Sequence, residues 1–162
     1  MNDLFMERQW NQTGEGKFVF LMNGEEIGTY QRGDDWKKEP TTFNILQNEY
    51  NIEYSSGLFS RGSIKILNES GEPILKLKSI PFSLNFNFEY QNRQFKLVFK
   101  DAPLWQWSIM EKDNLVLSYR TDLSKGTTGL SIQSREDADS DYLFDFLLGH
   151  LILGKEKKDV ME

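Results

Sequence analysis

The fold is decided by one apolar stretch near the C-terminal end of the chain, which spans residues 142–153 and reads YLFDFLLGHLIL. Its apolar residues fall on every side of a helix rather than on one stripe, and a short helix of that kind is normally enclosed by other elements. Acidic and hydroxyl residues before it can cap its start, and Gly154 with the lysines after it is a stop signal. We therefore predict a buried helix over about residues 140–153 and a polar tail over 155–162.

The chain between Phe18 and this helix has the pattern of short strands. The clearest is Phe82–Tyr90, in which every second residue is apolar and the residues between are polar, as in a strand with one buried face. Asn23-Gly24 is a strong hairpin signal, and Asn68–Gly71 is a further turn cluster. Because no helical segment separates the strands, the spacing predicts an antiparallel meander of about twelve strands.

Alternating strands followed by one helix that is apolar all round predict a mainly β domain over residues 18–154. The expected architecture is an antiparallel meander closed into a barrel of about twelve strands around the buried C-terminal helix, which fills a lumen too wide for side chains alone. The alternative is a sandwich or open barrel with the helix packed outside, which requires only one apolar helix face. Residues 1–17 have no sustained period and are interpreted as an arm or an irregular first edge.

Composition excludes several classes of function. A nucleic-acid-binding protein normally carries a basic excess, whereas this chain has a net charge of −6 and a pI of about 4.9, so we expect no nucleic-acid partner. The chain has no cysteine, which excludes disulfides and favours a reducing compartment. Met1–Arg8 lacks the features of a signal peptide, and the apolar run Phe146–Leu153 is far shorter than the roughly 20 residues of a membrane span. We therefore expect a cytoplasmic protein without a transmembrane segment.

The strand units Tyr50–Tyr54, Gly62–Leu67 and Gly71–Leu77, together with the closing helix Phe144–Leu153, resemble the tubby-like superfamily, which includes LURP-one-related and phospholipid scramblase-type proteins. Domains of that superfamily wrap antiparallel strands around a hydrophobic C-terminal helix. The resemblance implies a non-catalytic domain that binds membrane phospholipid headgroups or a protein partner, at the inner face of the membrane. Tubby proteins hold phosphoinositide headgroups in a basic pocket, whereas this chain is acidic and has no lysine–arginine motif that matches the pocket.

Five lysines on predicted strands are the candidates for contact with headgroups: Lys65, Lys76, Lys78, Lys96 and Lys100. Lys76 and Lys78 share one face of their strand, and on neighbouring strands the five would form a basic strip that attracts anionic lipid. The alternative is that they are the outward residues of an ordinary sheet, where lysine discourages edge pairing. Glu69, Glu72 and Glu89 lie close in sequence and would dilute the field.

The titratable residues of the helix do not form a catalytic pattern. His150 is the only histidine, and neither a zinc site nor a Ser-His-Asp relay follows from a lone histidine. We expect it at the helix C-terminus, where the dipole favours imidazolium. Asp145 interrupts the apolar run and needs a hydrogen-bonding partner inside a barrel, so it either marks a polar pocket at the lumen mouth or reaches solvent or backbone donors.

Three further features are weaker. The acidic residues over 136–141 offer oxygen ligands for calcium but lack the pattern of an EF-hand loop, so we interpret them, like Asp34 and Asp35, as solvated loop. Trp36, beside Lys37 and Lys38, is either an interfacial anchor or a core residue.

We predict no metal, no cofactor and no enzymatic activity. The alternative function is a lipocalin-like barrel that carries a small apolar ligand against Phe82–Phe88, although the glycine-x-tryptophan start of lipocalins is missing.

Overall fold

The computed structural model describes residues 7–33, 41–55, 63–100, 105–122, 129–134 and 142–161, and within them twelve strands precede one helix. The strands are β1 (Arg8–Gly14), β2 (Lys17–Met22), β3 (Glu25–Gln31), β4 (Thr41–Ile45), β5 (Asn48–Ser55), β6 (Ser63–Leu67), β7 (Pro73–Ser79), β8 (Phe86–Tyr90), β9 (Arg93–Lys100), β10 (Gln106–Glu111), β11 (Asn114–Asp122) and β12 (Gly129–Ser134). The helix is α1 (Leu143–Met161).

All twelve strands belong to one sheet, and each pairs antiparallel with the next along the chain. The sheet curls into a nearly closed barrel, with β1 and β12 at its two ends. The predicted meander and the predicted barrel are confirmed. Because every connection joins neighbouring antiparallel strands, the turns alternate between the two ends of the barrel.

Helix α1 lies inside the barrel. Every side chain of α1 from Leu143 to Leu153 is buried, so no side of this part of the helix faces solvent. Phe146 packs against Phe20 and Phe43 on β2 and β4, whereas Phe144 packs against Phe95 on β9. Strands from distant parts of the sheet therefore contact different faces of the same helix, which confirms the enclosed arrangement over a helix packed outside.

The strand predicted over Phe82–Tyr90 is wrong in its first half. The alternation holds from Phe86 to Tyr90, which form β8, but residues 80–85 form the turn between β7 and β8. In this turn the Ile80 N–H donates to the Asn85 carbonyl oxygen at 3.0 Å. Phe82 takes a positive φ of 59° and is 98% exposed, so it lines no lumen.

Two segments, residues 8–14 and 154–161, are more regular than the sequence indicates. Residues 8–14, interpreted as an arm or irregular edge, form the edge strand β1, which pairs along its length with β2. Helix α1 begins at Leu143 and continues through Gly154 to Met161, so the predicted stop at Gly154 is wrong. A glycine in a helix lowers its stability by about 1 kcal/mol relative to alanine, which the rest of the helix can offset.

Candidate functional site

The register of β6, β7, β8 and β9 brings four of the five candidate lysines together on the outer face of the barrel. Lys65 on β6 lies directly opposite Lys76 on β7. One pleat further, Lys78 lies opposite Asn87, and Asn87 lies opposite Lys96 on β9. Residues two apart on a strand share a face at roughly 7 Å, so these positions form a continuous patch. We name Lys65, Lys76, Lys78 and Lys96 the basic strip.

Lys100 lies apart from the basic strip. It shares the outer face of β9 with Lys96, but four residues of strand separate the two by roughly 13 Å. Its cross-strand partner is Gln106 on β10, and Gln106 in turn pairs with Arg120 on β11. Lys100 therefore lies near the end of the barrel where β9 ends, close to the turn formed by residues 80–85.

The surroundings of the basic strip are mixed in charge. Lys76, Lys78 and Lys96 are exposed, and Lys65 is half-buried. Glu53 on β5 lies directly opposite Lys65, and Glu89 lies two residues from Asn87 on β8. The two carboxylates border the strip and reduce its field; Glu89 was expected to do so from the sequence, whereas Glu53 was not. They do not separate Lys65 from Lys76.

A second polar group of residues lies inside the barrel, where β1 meets α1. Arg8 on β1 points inward, and its Nε donates to Asp145 Oδ1 and Oδ2 at 3.1 and 3.3 Å. The Tyr119 hydroxyl on β11 donates to Asp145 Oδ1 at 2.7 Å and accepts from Trp10 Nε1 at 2.9 Å. Asp145 is fully buried, so the predicted need for a hydrogen-bonding partner is confirmed, and the alternative that it reaches solvent is wrong.

These inward side chains hold the two ends of the sheet together. In the described part of the chain β1 and β12 are the ends of the strand order, and no backbone ladder joins them. Instead an Arg8 terminal nitrogen, Nη1, donates to Ser134 Oγ on β12 at 2.8 Å. Arg8 thus contacts both β12 and α1, and Trp10 contacts β11, so the gap between β1 and β12 is bridged by side chains.

Burial and the neighbouring carboxylate act together on Tyr119. Burial raises the pKa of the Tyr119 hydroxyl, and the negative charge and hydrogen bond of Asp145 raise it further, well above its ordinary value. The hydrogen bond from Trp10 and the charge of Arg8 oppose this rise but do not cancel it. Tyr119 therefore keeps its proton at neutral pH and serves as a donor to Asp145.

His150 occupies the opposite half of the buried helix segment. Its Nδ1 lies 2.7 Å from the Tyr30 hydroxyl on β3, and both side chains are buried. The predicted position at the helix C-terminus is wrong, because α1 extends beyond this residue. The hydrogen bond with Tyr30 accounts for a polar ring in the core, and buried polar groups normally have such a partner.

Neither the group around Asp145 nor the pair of His150 and Tyr30 forms a recognisable catalytic site. Within the described residues no cluster of three histidine, cysteine, aspartate or glutamate side chains can hold a metal ion. In that same part of the chain no helix has the length and apolar character needed to cross a membrane. The weaker predictions for Asp34, Asp35, Trp36 and residues 136–141 fall outside the described residues.

Sequence reasoning missed Arg8, Trp10 and Tyr119. Arg8 and Trp10 are two residues apart and share one face of β1, and the tryptophan was the signal that this face is turned inward. A single tryptophan in a polar segment is a weak signal, and the partner of Arg8 lies 137 residues away.

Comparison of the chain with models of protein families, with curated proteins and with solved structures found no match.

Proposed function

We propose that this protein is a non-catalytic binding domain of the tubby-like kind, and that it contacts anionic phospholipid headgroups through the basic strip. The observation that carries the proposal is the position of Lys65 directly opposite Lys76 on adjacent strands. Like charges directly opposite each other in a sheet are destabilising, so this pair does not serve stability. A phosphate group placed between them would turn the repulsion into attraction.

The rest of the basic strip extends the same field along the barrel. Lys78 and Lys96 flank the neutral Asn87, so a second anionic group can contact the sheet one pleat away from the first. Each lysine near an anionic leaflet contributes about 1 kcal/mol, and four give weak, salt-sensitive binding rather than a tight complex. The net charge of −6 opposes the approach of the whole molecule to such a leaflet, so the contact depends on a locally basic face such as the strip.

A lipocalin-like carrier is the second candidate and is less favoured. The interior position where a carried ligand would lie is occupied by α1, and Phe88 packs on Phe144 with ring centroids 5.6 Å apart. Phe82, proposed to line such a cavity, lies outside the barrel. The outer face therefore offers the better binding surface.

Vesicle co-sedimentation tests the proposal, with phosphatidylcholine vesicles compared with vesicles that also contain phosphatidylserine. The test variant is Lys76→Glu, and the matched control is Lys17→Glu, which changes net charge equally at an exposed lysine on β2, several strands away from the strip. We expect wild type and control to bind only the anionic vesicles, less so as salt is added. The strip variant should bind about tenfold more weakly or worse.

Equal binding by the strip variant and the control would show that the charge of the whole chain, not the basic strip, decides the interaction. Retention of none of the three proteins at low salt would refute headgroup binding. In that case an acidic protein surface becomes the partner to seek for the strip.

A further inference from the structure

We propose that the turn between β7 and β8, residues 80–85, is an apolar tip that inserts into the bilayer to which the basic strip binds. This inference rests on the proposed function and adds a second mode of attachment to it. The basic strip contacts headgroups by charge alone, whereas the tip would enter the boundary between headgroups and acyl chains.

The first observation is the exposure of two large apolar side chains in one short turn. Phe82 is 98% exposed and Leu84 is 61% exposed. Among the described residues the large apolar side chains that are exposed are these two and Leu46. Phe82 and Leu84 are two residues apart in the same turn, and apolar residues clustered at a protein surface mark interaction sites.

The second observation is that the backbone holds the tip outward. Phe82 adopts φ of 59°, in the left-handed region that a bulky residue rarely enters. The turn is braced at its base: the Asn85 N–H donates to Ser83 Oγ at 2.9 Å, and the Phe99 N–H on β9 donates to the Asn85 side-chain oxygen at 3.0 Å. A strained residue kept in place by such contacts points to a function for the strain.

The third observation identifies the partner as an anionic lipid surface. Lys78 lies two residues before Ile80 on β7, and Lys100 directly follows Phe99 on β9, so an exposed lysine flanks the turn on each side. Apolar residues bordered by lysines are typical of segments that lie in the membrane interface, where the lysine amines reach headgroups and the apolar side chains reach acyl chains. This gives Lys100, which lies apart from the basic strip, a contact of its own.

The absence of cysteine allows the tip to be labelled at one position. Leu84→Cys, carrying an environment-sensitive fluorophore such as NBD, reports the polarity around the turn while Phe82 stays in place. The matched control is Leu46→Cys, which is also apolar, 54% exposed and in a tight turn, but at the opposite end of the barrel. Adding vesicles that contain phosphatidylserine should shift the emission to the blue at position 84 and leave it unchanged at position 46.

An affinity measurement tests the same contact without a label. Phe82→Asn should weaken binding to anionic vesicles about tenfold or more, because the transfer of one phenylalanine side chain is lost. The remaining binding should be more sensitive to salt. Asparagine tolerates a positive φ, so this variant should unfold at the same or a higher temperature than wild type. Leu46→Asn, at φ of 49°, should bind the vesicles as wild type does.

The outcomes separate the inference from the function on which it rests. Wild-type binding to anionic vesicles, without a spectral shift at position 84 and without an effect of Phe82→Asn, overturns insertion and leaves headgroup binding standing. A spectral shift that is equal in neutral and anionic vesicles supports insertion and overturns headgroup binding by the strip. If the wild-type protein binds no vesicles, both proposals are overturned.

Discussion

Removing the guanidinium of Arg8 should destabilise the barrel strongly. Arg8→Met keeps most of the aliphatic volume and leaves the Asp145 carboxylate without its positive partner. The two side chains are 3% and 0% exposed, and the Arg8 Nε lies 3.1 Å from Asp145 Oδ1. Water therefore cannot solvate the carboxylate once the guanidinium is gone.

The size of the effect follows from this burial. With charge centres about 4 Å apart and an effective dielectric constant near 20, the attraction lost is about 4 kcal/mol. Loss of one partner from other buried ion pairs costs a similar 3–5 kcal/mol. In a domain of this length such a loss should lower the unfolding temperature by on the order of 10 °C. Urea unfolding followed by circular dichroism measures the free energy directly.

The exposed ion pair between Arg93 and Glu111 provides a matched control. The Arg93 Nε donates to Glu111 Oε2 at 2.7 Å, but the Arg93 side chain is 52% exposed. Arg93→Met should therefore cost no more than about 1 kcal/mol. If Arg8→Met costs as little as Arg93→Met, the buried pair does not contribute as its geometry implies and the reasoning is refuted.

A double-mutant cycle separates the ion pair from the packing of Arg8. Asp145→Asn removes the negative charge and keeps an oxygen that can accept from Tyr119. The variant Arg8→Met/Asp145→Asn should be more stable than the sum of the single losses predicts, by about 2–3 kcal/mol, because it contains no unpaired buried charge. Additive losses would mean that Arg8 acts through packing alone.

Two further predictions concern the interior. The pKa of Tyr119 is raised above the value of about 10 that it has in the unfolded chain, so above this pH the folded state keeps a proton that the unfolded chain loses. The free energy of unfolding therefore contains a contribution from Tyr119 that is fully present below about pH 10. Above that pH the contribution falls by up to about 1.4 kcal/mol per pH unit. Urea unfolding of Tyr119→Phe should lack this part of the alkaline decline, and an unchanged pH profile would contradict it. Gly28→Ala should lower the free energy of unfolding by at least about 2 kcal/mol, because a Cβ there would lie 1.9 Å from the Asn44 carbonyl oxygen and 2.9 Å from Phe146 Cζ. Thermal unfolding measures this loss.

Local patterns in the sequence predicted most of the fold. The alternation of Phe86, Phe88 and Tyr90 is a property of a strand with one buried face, and the apolar surface of α1 requires a complete enclosure. The same alternation continues through Phe82 and Leu84, although Pro81 and the left-handed Phe82 lie in a turn before the strand begins. Hydrophobic periodicity cannot distinguish a strand from an exposed turn whose apolar residues happen to alternate.

The candidate sites could be predicted only in part, because they depend on pairing between distant segments. The alternation in the sequence put Lys76 and Lys78 on one face of their strand. That Lys65 lies opposite Lys76 depends on the register between β6 and β7, and this pairing shifts at a bulge near Leu67. Asp145 was recognisable as a buried polar residue from its apolar neighbours. Nothing near Arg8 identifies it as the partner, since that contact exists only once the barrel has formed.

The order of the elements along the chain has a consequence for synthesis. All twelve strands leave the ribosome before α1 does, so during translation the strands have inward faces but no helix to cover them. Docking of α1 joins β1 to the helix across 137 residues, and contacts of such long range form late. The nascent strands therefore pass through a stage with exposed apolar surface, when chaperones or rapid completion of the chain must prevent aggregation.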